Sequence, residues 1–344
     1  MMAVDKMIAK TMMLALPVAI IFPPSGHTST DFNSSTWSVS VDNDGILGTD
    51  KNYSNGLFLE YHSERVSNLA LSSPWPYRIV GQLFSSDAEQ ALSWNWRIGQ
   101  QMWTPSDIES QQPLINERPY AGLLFVDLGI NRYQPNLTQK YQLRLGTVGP
   151  RALAKHTQKT IHDWIGSDKP NGWNNQIKNQ WIANFSYQQH NTLYSSPISD
   201  FLHSQWDVAS LARASIGNDQ SDLAAGISLR WGQDLTKSLG AIGFTPGEFV
   251  DVSALSASRS GYFLFTGIEG RYKFNDITIE GKRPDETYPA HLEPWQASVV
   301  LGGVFYRPTW GITLSLATHT KEFKQSMDTT HSNGSVEFFW RFPQ

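Results

Sequence analysis

The chain contains no cysteine. Thiolate nucleophiles, iron–sulfur clusters and disulfide staples are therefore excluded. Charge is also sparse: 27 basic and 31 acidic side chains leave a net charge of −4 in 344 residues, which gives no electrostatic reason to expect nucleic acid as a partner. Beyond the amino terminus there is no apolar run near the roughly 20 residues that a membrane-crossing helix needs. Two common hydrolase signatures are missing as well, the H-E-x-x-H zinc helix and the G-x-S-x-G serine elbow. What the chain has in excess is aromatic surface, with 13 Trp, 12 Tyr and 17 Phe on a sequence whose mean hydropathy is negative. Membrane β-barrels combine these traits, because aromatic girdles and a lipid-facing apolar side alternate with a polar lumen.

The first residues fit export. Lys6 and Lys10 precede or begin an apolar stretch, Thr11 to Phe22, of signal-peptide length, and Pro23 to Ser29 is small and polar. The sequence thus divides into a signal peptide, 1–28, and a barrel domain, 29–344. An exported chain without spanning helices can cross a membrane only as a closed barrel, which leaves no backbone group unpaired in lipid.

Period-two segments support that class. Leu92, Trp94, Trp96, Ile98 and Met102 alternate with Ser93, Asn95, Arg97, Gly99 and Gln101, and Leu223, Ala225, Ile227, Leu229 and Trp231 alternate with small or polar partners. Val336, Phe338, Trp340 and Phe342 do the same at the carboxyl end. Counting similar segments, with Ile277 to Gly281 among them, predicts an all-β, transmembrane antiparallel β-barrel of about twelve strands. One long connection breaks the pattern. Ala152 to Ile165 has helix-forming residues and Gly166 as a stop, and a second helical stretch is expected over Trp173 to Asn179. A loop of this length, near residues 150–180, with helices of its own is usually functional.

Two groups of side chains carry possible chemistry. The hairpin from Trp37 to Glu60 gathers Asp42, Asn43, Asp44, Thr49, Asp50, Asn52, Ser54 and Asn55, oxygen donors suited to a hard cation and equally at home in a polar turn. On the helical loop, Gln158 and His162 are spaced i, i+4 and share one helix face. An imidazole base beside a cation site would make a hydrolytic centre.

The blocks Val41-Asp42-Asn43-Asp44-Gly45, Lys51-Asn52-Tyr53-Ser54-Asn55-Gly56, Arg118-Pro119-Tyr120-Ala121-Gly122 and Gly149-Pro150, followed by Gln158, His162, Gly166 and Trp173, resemble the outer-membrane lipid A 3′-O-deacylase (LpxR-like) family in order and spacing. That resemblance implies a twelve-stranded outer-membrane barrel acting on lipid A, in lipopolysaccharide of the outer leaflet, with Ca2+ as cofactor. It matches His162 to the general base, Asn43 and Asp44 to the polar pair tied to the cation and the oxyanion, Ser54 to a hydroxyl position, and Gln158 to the glutamine one turn before the base. Asp168 stands at a family glutamate and is one methylene shorter. Pro170 stands where a family member has tyrosine. Arg118 and Lys169 are candidate phosphate contacts, and Tyr120 is expected to shape the start of its strand. Two other functions fit the same residues: an outer-membrane phospholipase using the same metal and base, and a non-catalytic pore or scaffold with the loop helix as a plug.

Overall fold

The computed structural model describes residues 32–44, 52–83, 90–284, 288 and 290–344. The expected signal peptide, and Thr49 and Asp50 of the hairpin, lie outside the described residues. Twelve strands close into one antiparallel barrel. They are β1 (Ser34–Asn43), β2 (Asn52–His62), β3 (Ala91–Thr104), β4 (Ala121–Gln134), β5 (Leu137–Val148), β6 (Gln180–Ser195), β7 (Gln205–Gly217), β8 (Gln220–Gly232), β9 (Gly261–Asp276), β10 (Trp295–Tyr306), β11 (Trp310–Thr320) and β12 (Thr330–Pro343). Each strand pairs with its neighbours in sequence, and β1 closes on β12 with Trp37 opposite Trp340 and Val39 opposite Phe338.

Alternation decides which side of the wall each residue takes. In β1, Trp37, Val39 and Val41 are exposed outward, whereas Ser38, Ser40 and Asp42 are buried inward. The outer face is an apolar band through Ile98, Val126, Leu145, Ile227, Ile268 and Leu314. Aromatic clusters edge it at both ends: Trp37 with Trp96 (ring centroids 5.3 Å apart) and Phe338 with Trp340 (4.7 Å) at the end holding both strand termini, and Tyr272 with Trp295 (4.9 Å) at the other. These are the girdles of a membrane barrel. Inside, buried ion pairs such as Arg97 with Asp127 at 2.6 Å and Arg230 with Asp207 at 2.5 Å offset the cost of removing ions from water. No helix among the described residues is long and apolar enough to cross a membrane.

The lumen is filled by the connection between β8 and β9, residues 233–260, which the sequence pattern does not reveal. Leu235, Ile242, Phe244, Phe249, Val252 and Leu255 pack against the inward-facing Phe263, Phe265, Val300 and Phe339. At its tip Glu248 lies 2.6 Å from Arg97, and Gly247 donates its N–H to the Asp42 carboxylate. Gly247 adopts φ +81°, and a Cβ there would stand 2.5 Å from the Phe58 ring, so glycine is required twice over.

Two sequence-based elements change. Ile277 to Gly281 is not a strand. Ile277–Glu280 is a short helix, whose start is capped by Asp276 accepting from the Thr278 N–H at 2.9 Å. Both isoleucines are buried by that turn, which produced the misleading alternation. The second helical stretch of the long loop shrinks to a 3-10 turn, Gly172–Asn175. At the terminal end, the connection between β2 and β3 carries α1 (Leu69–Ser72) and α2 (Trp75–Gly81). The long loop carries α3 (Ala154–Ile165), and Ile277–Glu280 is α4. α3 starts two residues later than expected, because a 3-10 turn over Pro150–Ala152 ends with Leu153 at φ 61°. It stops as expected at Gly166, φ 72°, whose N–H caps the His162 carbonyl at 2.8 Å.

Candidate active site on the outer wall

α3 does not enter the lumen, so the plug role falls to residues 233–260. The helix lies on the outside of the barrel against β3 and β4. Gly122, on the outward side of β4, makes this approach possible: a Cβ there would stand 2.5 Å from the Ala154 Cβ. Ala154, Gln158 and His162, spaced i, i+4 and i+8, are the buried residues of α3. Gln100 donates its side-chain N–H to the Ala152 carbonyl at 2.6 Å. The 105–120 loop braces the other side. The Tyr120 ring packs tilted against Trp173, centroids 4.8 Å apart, and its hydroxyl donates to the Ile108 carbonyl at 3.0 Å. Tyr120 is thus structural, as expected.

His162 Nδ1 lies 2.6 Å from the main-chain carbonyl oxygen of Asp168. A carbonyl only accepts, so Nδ1 carries a proton, and in the neutral imidazole this tautomer leaves the lone pair on Nε2. The Asp168 side chain is exposed, and its length is immaterial to this contact. Gln158 is committed elsewhere: its Oε1 accepts from the Trp173 indole N–H at 2.7 Å, fixing the helix to the turn beneath it.

The hairpin supplies a second group on the same outer surface. One register row runs from Gly122 to Met102, Asn55 and Asn43, all outward-facing. Asn43 donates its side-chain N–H to the Ser54 carbonyl at 3.2 Å, which leaves its amide oxygen as the atom a cation would meet. The Ser54 and Thr104 hydroxyl oxygens lie 2.6 Å apart, both buried. Asp44, just beyond β1, is buried too. Asp42 departs from the group, turning into the lumen, where it accepts from the Tyr53 hydroxyl at 3.1 Å.

The donor set fits a hard cation. Among the described residues no three His, Cys, Asp or Glu side chains group as metal ligands, so neutral amide oxygens would have to supply most of the ligands here. Asn55 Oδ1, across the strand pair from Asn43, is buried without a hydrogen-bond partner. Such an orphaned oxygen is costly unless something electropositive meets it. With the Asn43 amide oxygen opposite it, this gives two oxygen donors on one outer row, the donor type that calcium takes.

Sequence reasoning missed Thr104, Gln100 and the Asp168 carbonyl. Extending the 92–102 alternation by one more step would have put Thr104 on the outer face. Arg118 is buried, bound to Glu322, and donates to Thr278 Oγ1 at 2.7 Å, so the structure commits it to protein partners. Lys169 is exposed and Pro170 is buried.

A closed twelve-stranded barrel with an apolar, aromatic-edged outer face defines an outer-membrane β-barrel protein. The model of the family described as Outer membrane protein LpxR matches residues 12–342, and the chain belongs to that family. Among solved structures, it is similar to LpxR from Salmonella typhimurium, with 20% identity, a TM-score of 0.74, and coverage of 89% of this chain and 100% of that one. That likeness shows the fold. An outer-membrane channel from Pseudomonas putida F1 (10% identity, TM-score 0.43, 94% and 100% covered) and the β domain of the Bordetella autotransporter BrkA (7%, 0.41, 91% and 99%) are more distant barrels. No curated protein matches the chain.

Proposed function

We propose that this protein is a lipid A 3′-O-deacylase of the outer membrane, hydrolysing the ester that holds the 3′-linked acyloxyacyl chain. The family supports a lipid A-modifying enzyme as the class. The observation carrying the finer reading is the His162–Asp168 contact, which leaves an imidazole Nε2 free to act as base on a helix bound to the lipid-facing wall. The eight steps from Ala154 to His162 span ~12 Å along the helix, and the three strand spacings from Gly122 to Asn43 span ~14 Å.

In this reading His162 Nε2 takes a proton from water as the water oxygen bonds to the ester carbonyl carbon. The Asp168 carbonyl stabilises the imidazolium through Nδ1–H. The Ser54 hydroxyl, held by Thr104, donates to the developing oxyanion. When the C–O bond to the sugar breaks, His162 returns the proton to the leaving alkoxide, giving a free acid and an alcohol. Asn43, Asp44 and Asn55 would hold a calcium ion, which when bound supplies positive charge beside the ester carbonyl. A site on the outer wall lets the lipid remain in its leaflet, and this places the α3 end of the barrel outward.

The test is the mass spectrum of lipid A from cells producing the wild type or His162→Ala, with phospholipids measured alongside. Loss of the acyloxyacyl mass with the wild type alone is expected. Lipid A unchanged by the wild type would overturn the proposal, and cleavage of phospholipids instead would make the protein a phospholipase.

A further inference from the structure

The helical hairpin at the opposite end of the barrel has no part in this chemistry, and its two faces differ sharply. One face closes onto the outer wall. Leu69 is fully buried with Leu92 and Ile130, against Trp94 and Leu128. The Tyr77 ring lies 5.0 Å from that of Trp94, and its hydroxyl donates to the Asn95 carbonyl at 2.6 Å. α1 and α2 are themselves in close contact, since a Cβ at Gly81 would stand 2.8 Å from the Leu69 Cβ. The other face is a stripe of large apolar side chains. Trp75 and Ile79, at i and i+4 on α2, are 73% and 63% exposed, Leu83, two residues past its end, is 82% exposed, and Leu71 on α1 is 78% exposed. Arg78 and Gln82 border the stripe.

We infer that the α1–α2 hairpin is an interfacial anchor whose apolar stripe is covered by glycerophospholipids of the leaflet at the terminal end of the barrel. The hairpin sits radially outside a wall that faces lipid. It stands on the aromatic girdle that marks the membrane boundary, where Tyr61 packs on Trp94 at 5.1 Å and Trp37 on Trp96 at 5.3 Å. The stripe therefore continues an interface already made with lipid. A short amphipathic element with Trp and Leu outward and a basic residue at its edge buries its apolar side ~5–10 Å into the headgroup boundary. A second copy or a soluble partner is a poorer match, because a stable protein interface takes about 20–30 residues a side and this stripe offers a handful. The anchored strands are β3 and β4, the two that carry α3 at their other ends, so the hairpin sets the depth at which the outer-wall helix rides. The inference is independent of the hydrolase reading.

The cysteine-free sequence permits a clean test with the full chain in vesicles of phosphatidylethanolamine and phosphatidylglycerol. Ile79→Cys and Leu83→Cys are each labelled with an environment-sensitive dye. Met327→Cys, 82% exposed at the far end, gives the aqueous standard. Only protein migrating as folded barrel is measured. At Ile79 and Leu83 we expect blue-shifted emission that brominated lipid quenches and aqueous iodide does not. Iodide quenching equal to that at Met327 would overturn the anchor. Protection from both quenchers would mean a covering protein and would overturn it equally.

Discussion

His162 Nδ1 donates to the main-chain oxygen of Asp168, 2.6 Å away, across the Gly166 turn that ends α3. The imidazole is therefore oriented by backbone, and the side chain at 168 takes no part in that contact. Asp168→Ala and Asp168→Glu should each keep lipid A deacylation within about threefold of wild type, whereas His162→Ala should lower it by about 10²–10⁴-fold, the usual worth of a general base. Rates of acyl release in reconstituted membranes decide this. A loss at Asp168→Ala as large as at His162→Ala would mean that the carboxylate acts directly.

The strand wall was legible because a lipid-facing barrel must alternate, and Trp94, Trp96 and Ile98 can satisfy only one side. α3 was legible from the run of Ala, Leu, Lys and Gln over 152–165 and from the stop at Gly166. The plug was not. Phe244, Glu248 and Phe249 follow no period, since their burial depends on side chains from strands distant in sequence, such as Arg97 and Phe265. The Asp168 contact was invisible for another reason: a carbonyl oxygen is common to every residue, so no residue type signals it. At Ile277 the cue was present in the Asp-x-Thr cap, but alternation of two isoleucines outweighed it.

Removal of metal tests the oxygen set. Chelation with EDTA should abolish deacylation and added calcium should restore it, because Asn43, Asp44 and Asn55 present only hard oxygen donors. Asn55→Ala removes the orphaned buried oxygen and should raise the calcium concentration needed for half-activity about tenfold, a loss of about 1.4 kcal/mol. Its barrel should stay as heat-resistant as the wild type. Activity indifferent to chelator would remove the metal from the mechanism.

Glu248 holds the plug to the wall through Arg97 at 2.6 Å, Arg144 at 3.5 Å and Arg213 at 3.7 Å. Glu248→Ala leaves these cations short of a partner, and stripping one member from a buried ion pair costs about 3–5 kcal/mol. The remaining acids, Asp127 and Asp222, put the expected cost at the lower end. The variant should unfold at lower temperature by the heat-modified gel shift and should conduct ions in planar bilayers, where the wild type stays closed. A wild type that conducts would favour the pore reading.

Glu322, in the loop between β11 and β12, reports on acid stability at the α3 end. Burial pushes its carboxyl up, but Arg118, with help from His331 and Lys273, overrides that and holds it at about 2 against an ordinary 4.5. A carboxylate depressed in the folded state adds stability that is complete above its unfolded value and fades as pH falls through the folded one. The window is therefore pH 4.5 down to 2. Because Arg118 also binds Thr278 at the start of α4, neutralising Glu322 loosens three loops together. Limited pepsin digestion across that window should cut the 321–329 loop progressively faster in the wild type. Glu322→Gln, which lacks the titration, should be cut readily at pH 4.5 and gain little on further acidification. Parallel pH profiles for the two proteins would show that other acids, not this pair, govern the loop.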